Sequence, residues 1–88
     1  MNKKIHDVEI VKTDDTYLYL KVDNQSYRIR WGDCSSKLNQ ANQIEREYLE
    51  ISPSGYGLHW PLIDEDLAIS PLLKQAEQLI AELAHEVR

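Results

Sequence analysis

The stretch TYLYLKV (16–22) alternates without a break, with Thr16, Leu18, Leu20 and Val22 on one face and Tyr17, Tyr19 and Lys21 on the other. A period of two is the mark of a half-buried strand. SYRIRW (26–31) repeats the pattern, setting Tyr27, Ile29 and Trp31 against Ser26, Arg28 and Arg30. Between them Asp23-Asn24-Gln25-Ser26 is short and polar, and Asn tolerates the left-handed backbone of a tight hairpin. HDVEIV (6–11) reads as a less regular first strand, followed by a turn at Thr13-Asp14-Asp15. A three-stranded antiparallel meander is the simplest arrangement.

The period then changes. Cys34-Ser35-Ser36 offers an N-cap, and Leu38, Ala41 and Ile44 recur at helical spacing, predicting a short helix. EYLEIS (47–52) returns to alternation. Pro53-Ser54-Gly55 is a turn, and Tyr56 to Trp60 forms the partner strand, with Tyr56, Leu58 and Trp60 on one face. Pro61 has no N–H for a ladder, so that strand ends there or lies at an edge. Asp64-Glu65-Asp66 reads as an acidic turn. Beyond it, Ser70 stands as an N-cap with Pro71 at the first helical position. Leu73, Ala76, Ile80, Leu83 and Val87 then step by three and four, and Leu72 and Leu79 widen the stripe. The expected fold is therefore α+β over a single domain, residues 1–88: a small antiparallel sheet (meander, short helix, hairpin) covered by a C-terminal amphipathic helix. That helical seam, Leu83 included, also offers a surface for a homo-oligomer or a partner.

A chain of 88 residues buries roughly 60–65% of its unfolded surface, so the core is modest. The single cysteine, Cys34, leaves no internal disulfide, which suits a reducing compartment. The first residues, MNKKIHDVEIV, lack the apolar run of a secretory leader, and no segment has the roughly 18 apolar residues of a spanning helix. The expectation is a cytoplasmic protein with no membrane partner.

Charge sharpens the choice of partner. Residues 1–31 carry six Lys/Arg against five Asp/Glu; residues 32–66 carry two against seven; residues 67–88 carry two against three. No basic segment is present to neutralise a phosphate backbone, so direct nucleic-acid binding is not expected. An acidic domain suits a small basic protein partner, although acidity by itself also serves solubility.

Candidate chemistry is sparse. Adjacent carboxylates such as Asp64, Glu65 and Asp66 point in different directions, unlike the alternate spacing of a calcium loop. His59 near Asp64 could form a His–carboxylate base, whose nucleophile would have to be Cys34, Ser52 or Ser54; no local spacing places Cys34 near His59. His6 and His85 share no metal-ligand spacing. Gly32, Gly55 and Gly57 follow no phosphate-loop pattern. No catalytic residue, metal or cofactor is expected. The alternative to a solvated sheet face is that Tyr17, Tyr19, Arg28 and Arg30 form a recognition surface, with His59, Asp64 and Asp66 as further surface candidates.

Residues 47–73, EYLEISPSGYGLHWPLIDEDLAISPLL, resemble the bacterial family known as domain of unknown function 2442. Its members carry a similar S-P-S-G-Y-G-I-H-W-P-x-I-D-E-D-L segment before a Leu-Leu pair. Arg-Ile-Arg-Trp ending at Trp31, and the Lys-Leu-x-x-Ala of Leu38 and Ala41, extend the likeness over most of 17–73. The resemblance implies a small α+β domain. Some members precede a DNA-binding helix-turn-helix; others stand alone, often encoded beside another small protein in the manner of a toxin–antitoxin pair. The resemblance brings no catalytic residues. It implies a non-enzymatic, antitoxin-like interaction module, with a ligand-sensing or regulatory domain as the alternative.

Overall fold

The computed structural model describes residues 5–80. Two antiparallel sheets enclose the core. The first contains β1 (Val8–Thr13), β2 (Tyr17–Val22), β3 (Gln25–Arg30) and a late strand, β7 (Glu77–Leu79), in the order β1-β2-β3-β7. The second contains β4 (Glu50–Ile51), β5 (Gly57–Trp60) and β6 (Glu65–Ala68), in that order. Three short helices, α1 (Trp31–Cys34), α2 (Ser36–Gln40) and α3 (Gln43–Glu47), join the sheets, and α4 (Ile69–Gln75) leads from β6 to β7.

The meander follows from its alternation. Leu18, Leu20, Val22 and Ile29 are buried, and Tyr17, Tyr19, Arg28 and Arg30 lie on the opposite, outer face. Asp23 and Asn24 both adopt positive φ (52° and 70°), the backbone of a two-residue hairpin turn. At the β1–β2 turn the Asp14 carboxylate accepts from the N–H groups of Tyr17 (2.7 Å) and Thr16 (2.9 Å). These bonds hold its pKa below the usual carboxylate value, Tyr17 contributing most.

Ser35 caps α2 by accepting from Leu38 N–H, and Asn42 with Glu45 forms a reciprocal capping box on α3. The one helix expected near 38–44 is thus three. Trp31 opens α1 instead of closing β3, and the strand expected over 47–52 shrinks to Glu50–Ile51. Arg46 braces this corner. Its guanidinium donates to the carbonyls of Leu38 (3.0 Å), Asn39 (3.0 Å) and Asp15 (3.3 Å), and lies 5.2 Å from the Trp31 ring centroid. Both indoles end on main-chain carbonyls, Trp31 on Asp14 and Trp60 on Arg46. Buried Trp needs such a partner for its N–H.

Two expectations are corrected. Asp64-Glu65-Asp66 is not wholly a turn: Asp64 takes φ of 53° and closes it, while Glu65 and Asp66 start β6 opposite Trp60 and His59. The C-terminal helix does not run on from residue 70. Its N-cap is Ala68, without a side-chain cap, and it stops at Gln75. Ala76 is extended, and Glu77, Gln78 and Leu79 pair with Arg28, Tyr27 and Ser26. An open β3 edge with unpaired N–H and C=O groups outweighs a few tenths of a kcal/mol of helix propensity per residue. The inner face of the larger sheet is therefore covered by pieces: Leu38 of α2, Leu58 and Trp60 of β5, and Ile69 and Leu72 of α4. Leu83 lies outside the described residues, and with Glu77–Leu79 in a strand the helical seam proposed for oligomerisation is interrupted at its centre.

His6 fastens the two sheets. Its Nδ1 donates to the Asp23 carboxylate (2.8 Å) in the β2–β3 turn, and its Nε2 meets the Ser70 hydroxyl (3.0 Å) on α4. The N–H groups of Ile5 and His6 reach the Ser54 carbonyl in the β4–β5 turn. Ser70, expected as a helix cap, serves this clasp.

Candidate functional site

Three surfaces hold the candidate residues. On the outer face of the larger sheet, strand register aligns Lys12, Tyr19, Arg28 and Glu77 in one cross-strand row, with Tyr17 opposite Arg30 in the next. The Tyr17 and Tyr19 rings are 5.7 Å apart and tilted by 55°. Lys12 Nζ sits 4.7 Å from the Tyr19 centroid, and the Arg28 and Arg30 guanidinium carbons sit 4.3 and 5.9 Å from that of Tyr17. Arg28 Nε donates to the Glu77 carboxylate at 2.8 Å. That bond holds the Glu77 pKa below, and the Arg28 pKa above, their ordinary values. The four residues singled out from sequence are thus brought together. Lys12 and Glu77 were missed because register across strands sets their place, and a β-bulge between Ile10 and Lys12 shifts that register.

The second surface is the outer side of the smaller sheet. His59 on the central strand β5 stands between Glu50 of β4 and Asp66 of β6. Its Nδ1 donates to the Asp66 carboxylate at 2.7 Å, which in a neutral ring leaves Nε2 as an acceptor. A mostly apolar groove of about 360 Å³ lies beside it, lined by Ser52, Tyr56, Gly57, His59, Asp66 and Ala68 among others. Gly57 is required there because a β-carbon would lie 2.7 Å from the Leu67 carbonyl oxygen of the neighbouring strand. The sequence reading paired His59 with Asp64; the structure gives it Asp66. Asp64 offers its main-chain carbonyl to Lys37 Nζ (3.0 Å). Ser52 Oγ accepts from Gly57 N–H (3.0 Å). Cys34 is half-buried, and burial, helped by Asp33, pushes its thiol up to about 12, far from a ready thiolate. Among the described residues no group of three or more His, Cys, Asp or Glu side chains is placed to hold a metal ion.

The third surface was not foreseen. On α3 and just after it, Ile44 is 72% exposed and Tyr48 53%, and in the turn after β5 Leu62 is 52% exposed. The bond from Trp60 Nε1 to the Arg46 carbonyl (3.0 Å) sets that turn beside α3. Exposed Glu47 lies on α3 and exposed Asp64 in that turn, whereas exposed Glu50 and Asp66 lie on β4 and β6. In the sequence Ile44 shares helical spacing with Leu38 and Ala41. Its exposure is legible only once the helix is known to break at Ala41.

No helix among the described residues is long and apolar enough to cross a membrane. No curated protein matches the chain, and no solved structure matches it. One family model does, over residues 7–78, which takes in every strand but the last residue of β7. The chain belongs to the family described as Protein of unknown function (DUF2442).

Proposed function

We propose that this protein is a non-enzymatic interaction module that docks a small basic protein, as the acidic member of a toxin–antitoxin-like pair. The observation that carries this reading is the set of exposed apolar side chains on and beside α3, Ile44, Tyr48 and Leu62, with exposed carboxylates at Glu47 on α3 and Asp64 in the turn after β5. A desolvated apolar centre supplies affinity, and a charged rim steers and selects the partner. Purification at native levels brings down one small basic protein near stoichiometrically, and Tyr48→Asp releases it while the circular dichroism spectrum is unchanged. A clean monomer or self-dimer with no partner overturns the reading.

The second reading is a ligand-sensing domain. The observation favouring it is the groove beside His59 and Asp66, whose volume falls within the range of small-molecule sites. A ligand at 100 times its Kd adds about 2.7 kcal/mol of stability, which a thermal-shift screen detects. No shift across a broad metabolite set counts against it.

A further inference from the structure

The outer face of the larger sheet is a cation-rich surface on a protein of net charge −5. Its strands fix where the cations stand. Arg28 and Arg30 occupy alternate positions of β3, so their side chains leave the same face about 6.6 Å apart. Tyr17 and Tyr19 beneath them act as rests, with Arg28 held 4.3 Å over one ring and Lys12 4.7 Å over the other. Cation–π contacts of this kind restrain the long side chains before any partner arrives, which lowers the ordering cost of binding. Arg28 donates to Glu77 through Nε, the inner nitrogen of its guanidinium. Arg30 and Lys12 make no ion pair with the other described residues.

We propose that this face binds an acidic protein segment in extended form, with carboxylates at alternate positions that meet Arg28 and Arg30. An extended peptide repeats its side chains on one side at the same spacing as the two arginines. Guanidinium is also the group best shaped to receive a carboxylate. Single-stranded nucleic acid fits less well. Bases stack on open ring faces, whereas each tyrosine here already carries a cation. The surface is distinct from the exposed residues on and beside α3 and stands without them.

The test uses the full chain and fluorescence anisotropy with labelled probes. One peptide alternates aspartate with threonine; a second has the same composition with its aspartates consecutive; the third probe is an oligothymidylate of about 15 nucleotides. The alternating peptide binds saturably and more tightly than the block peptide. Arg30→Gln, an exposed position, weakens it by about three- to fivefold with the fold intact, and Lys12→Gln does so to a smaller degree. Equal affinity for the two peptides, preference for the oligothymidylate, or unchanged binding by Arg30→Gln overturns the proposal.

Discussion

The α-carbon of Gly55 lies so close to the main chain of His6 that an added β-carbon would stand 1.9 Å from the His6 carbonyl oxygen. Gly55 also has φ of 74°, a conformation that disfavours any side chain. Gly55→Ala should therefore cost more than about 3 kcal/mol or prevent folding, since strain and a backbone clash combine. Gly32→Ala is the control: its nearest neighbour is the flexible Asn39 side chain at 3.1 Å, and its φ is not left-handed. Urea denaturation of the two variants should separate them widely; similar midpoints would show that the His6–Gly55 approach is not tight in solution.

His6 itself carries bonds to Asp23 and Ser70. Removing them with His6→Ala should cost about 1–2 kcal/mol, because one change unties the hairpin turn from α4. Ser70→Ala breaks only one of the two bonds and should cost less. A larger effect from Ser70→Ala would mean that the hydroxyl supports the helix rather than the clasp.

Acid should weaken the fold through Asp14 and Asp23. The carboxylate of Asp14 is held below its usual value of 3.8 by the N–H groups of Tyr17 and Thr16, and that of Asp23 by the Asp7 N–H and then by His6. Each binds its proton more weakly folded than unfolded, so each, when ionised, stabilises the folded protein. That stability is present above about pH 4 and is lost as pH falls through the lower folded value. Asp14→Asn keeps an acceptor oxygen but cannot titrate, so its stability should fall less steeply between pH 5 and pH 2, an interval of about three units around the carboxylate range. A slope equal to wild type would assign the acid sensitivity elsewhere.

Cys34 should be inert in the native protein. Its thiol is pushed up to about 12 by burial, with Asp33 adding and Arg46 opposing. A disulfide reagent at about pH 8 should label it slowly in buffer and promptly in urea. Prompt labelling under native conditions would mean that α1 and α2 open readily around it.

What could be read from the sequence follows the range of the interactions. TYLYLKV and SYRIRW announce both their strands and their buried faces, because a period of two with one dry face admits one register. The Asp23-Asn24 turn is local and equally plain. β6 was hidden, since Glu65-Asp66 at its start looks like a turn when seen without its partner strand. β7 was hidden for a stronger reason. Leu73, Ala76 and Ile80 keep helical spacing, and only the vacant side of β3, 49 residues earlier at the Arg28–Glu77 pair, converts part of that stretch to strand. The candidate surfaces divide similarly. Tyr17, Tyr19, Arg28 and Arg30 share a face that alternation alone identifies, whereas the His59–Asp66 pair and the exposure of Ile44 depend on register and on where helices break.

The late arrival of β7 also bears on synthesis. The meander emerges from the ribosome first and is local enough to pair at once, yet its fourth strand and much of its apolar cover come from residues 58 to 79. Until then Leu18, Leu20 and Ile29 face solvent and β3 presents an unpaired side. A nascent chain in that condition is a template for strand addition by its neighbours, so translation pauses or truncations before residue 77 should favour aggregates over soluble fragments.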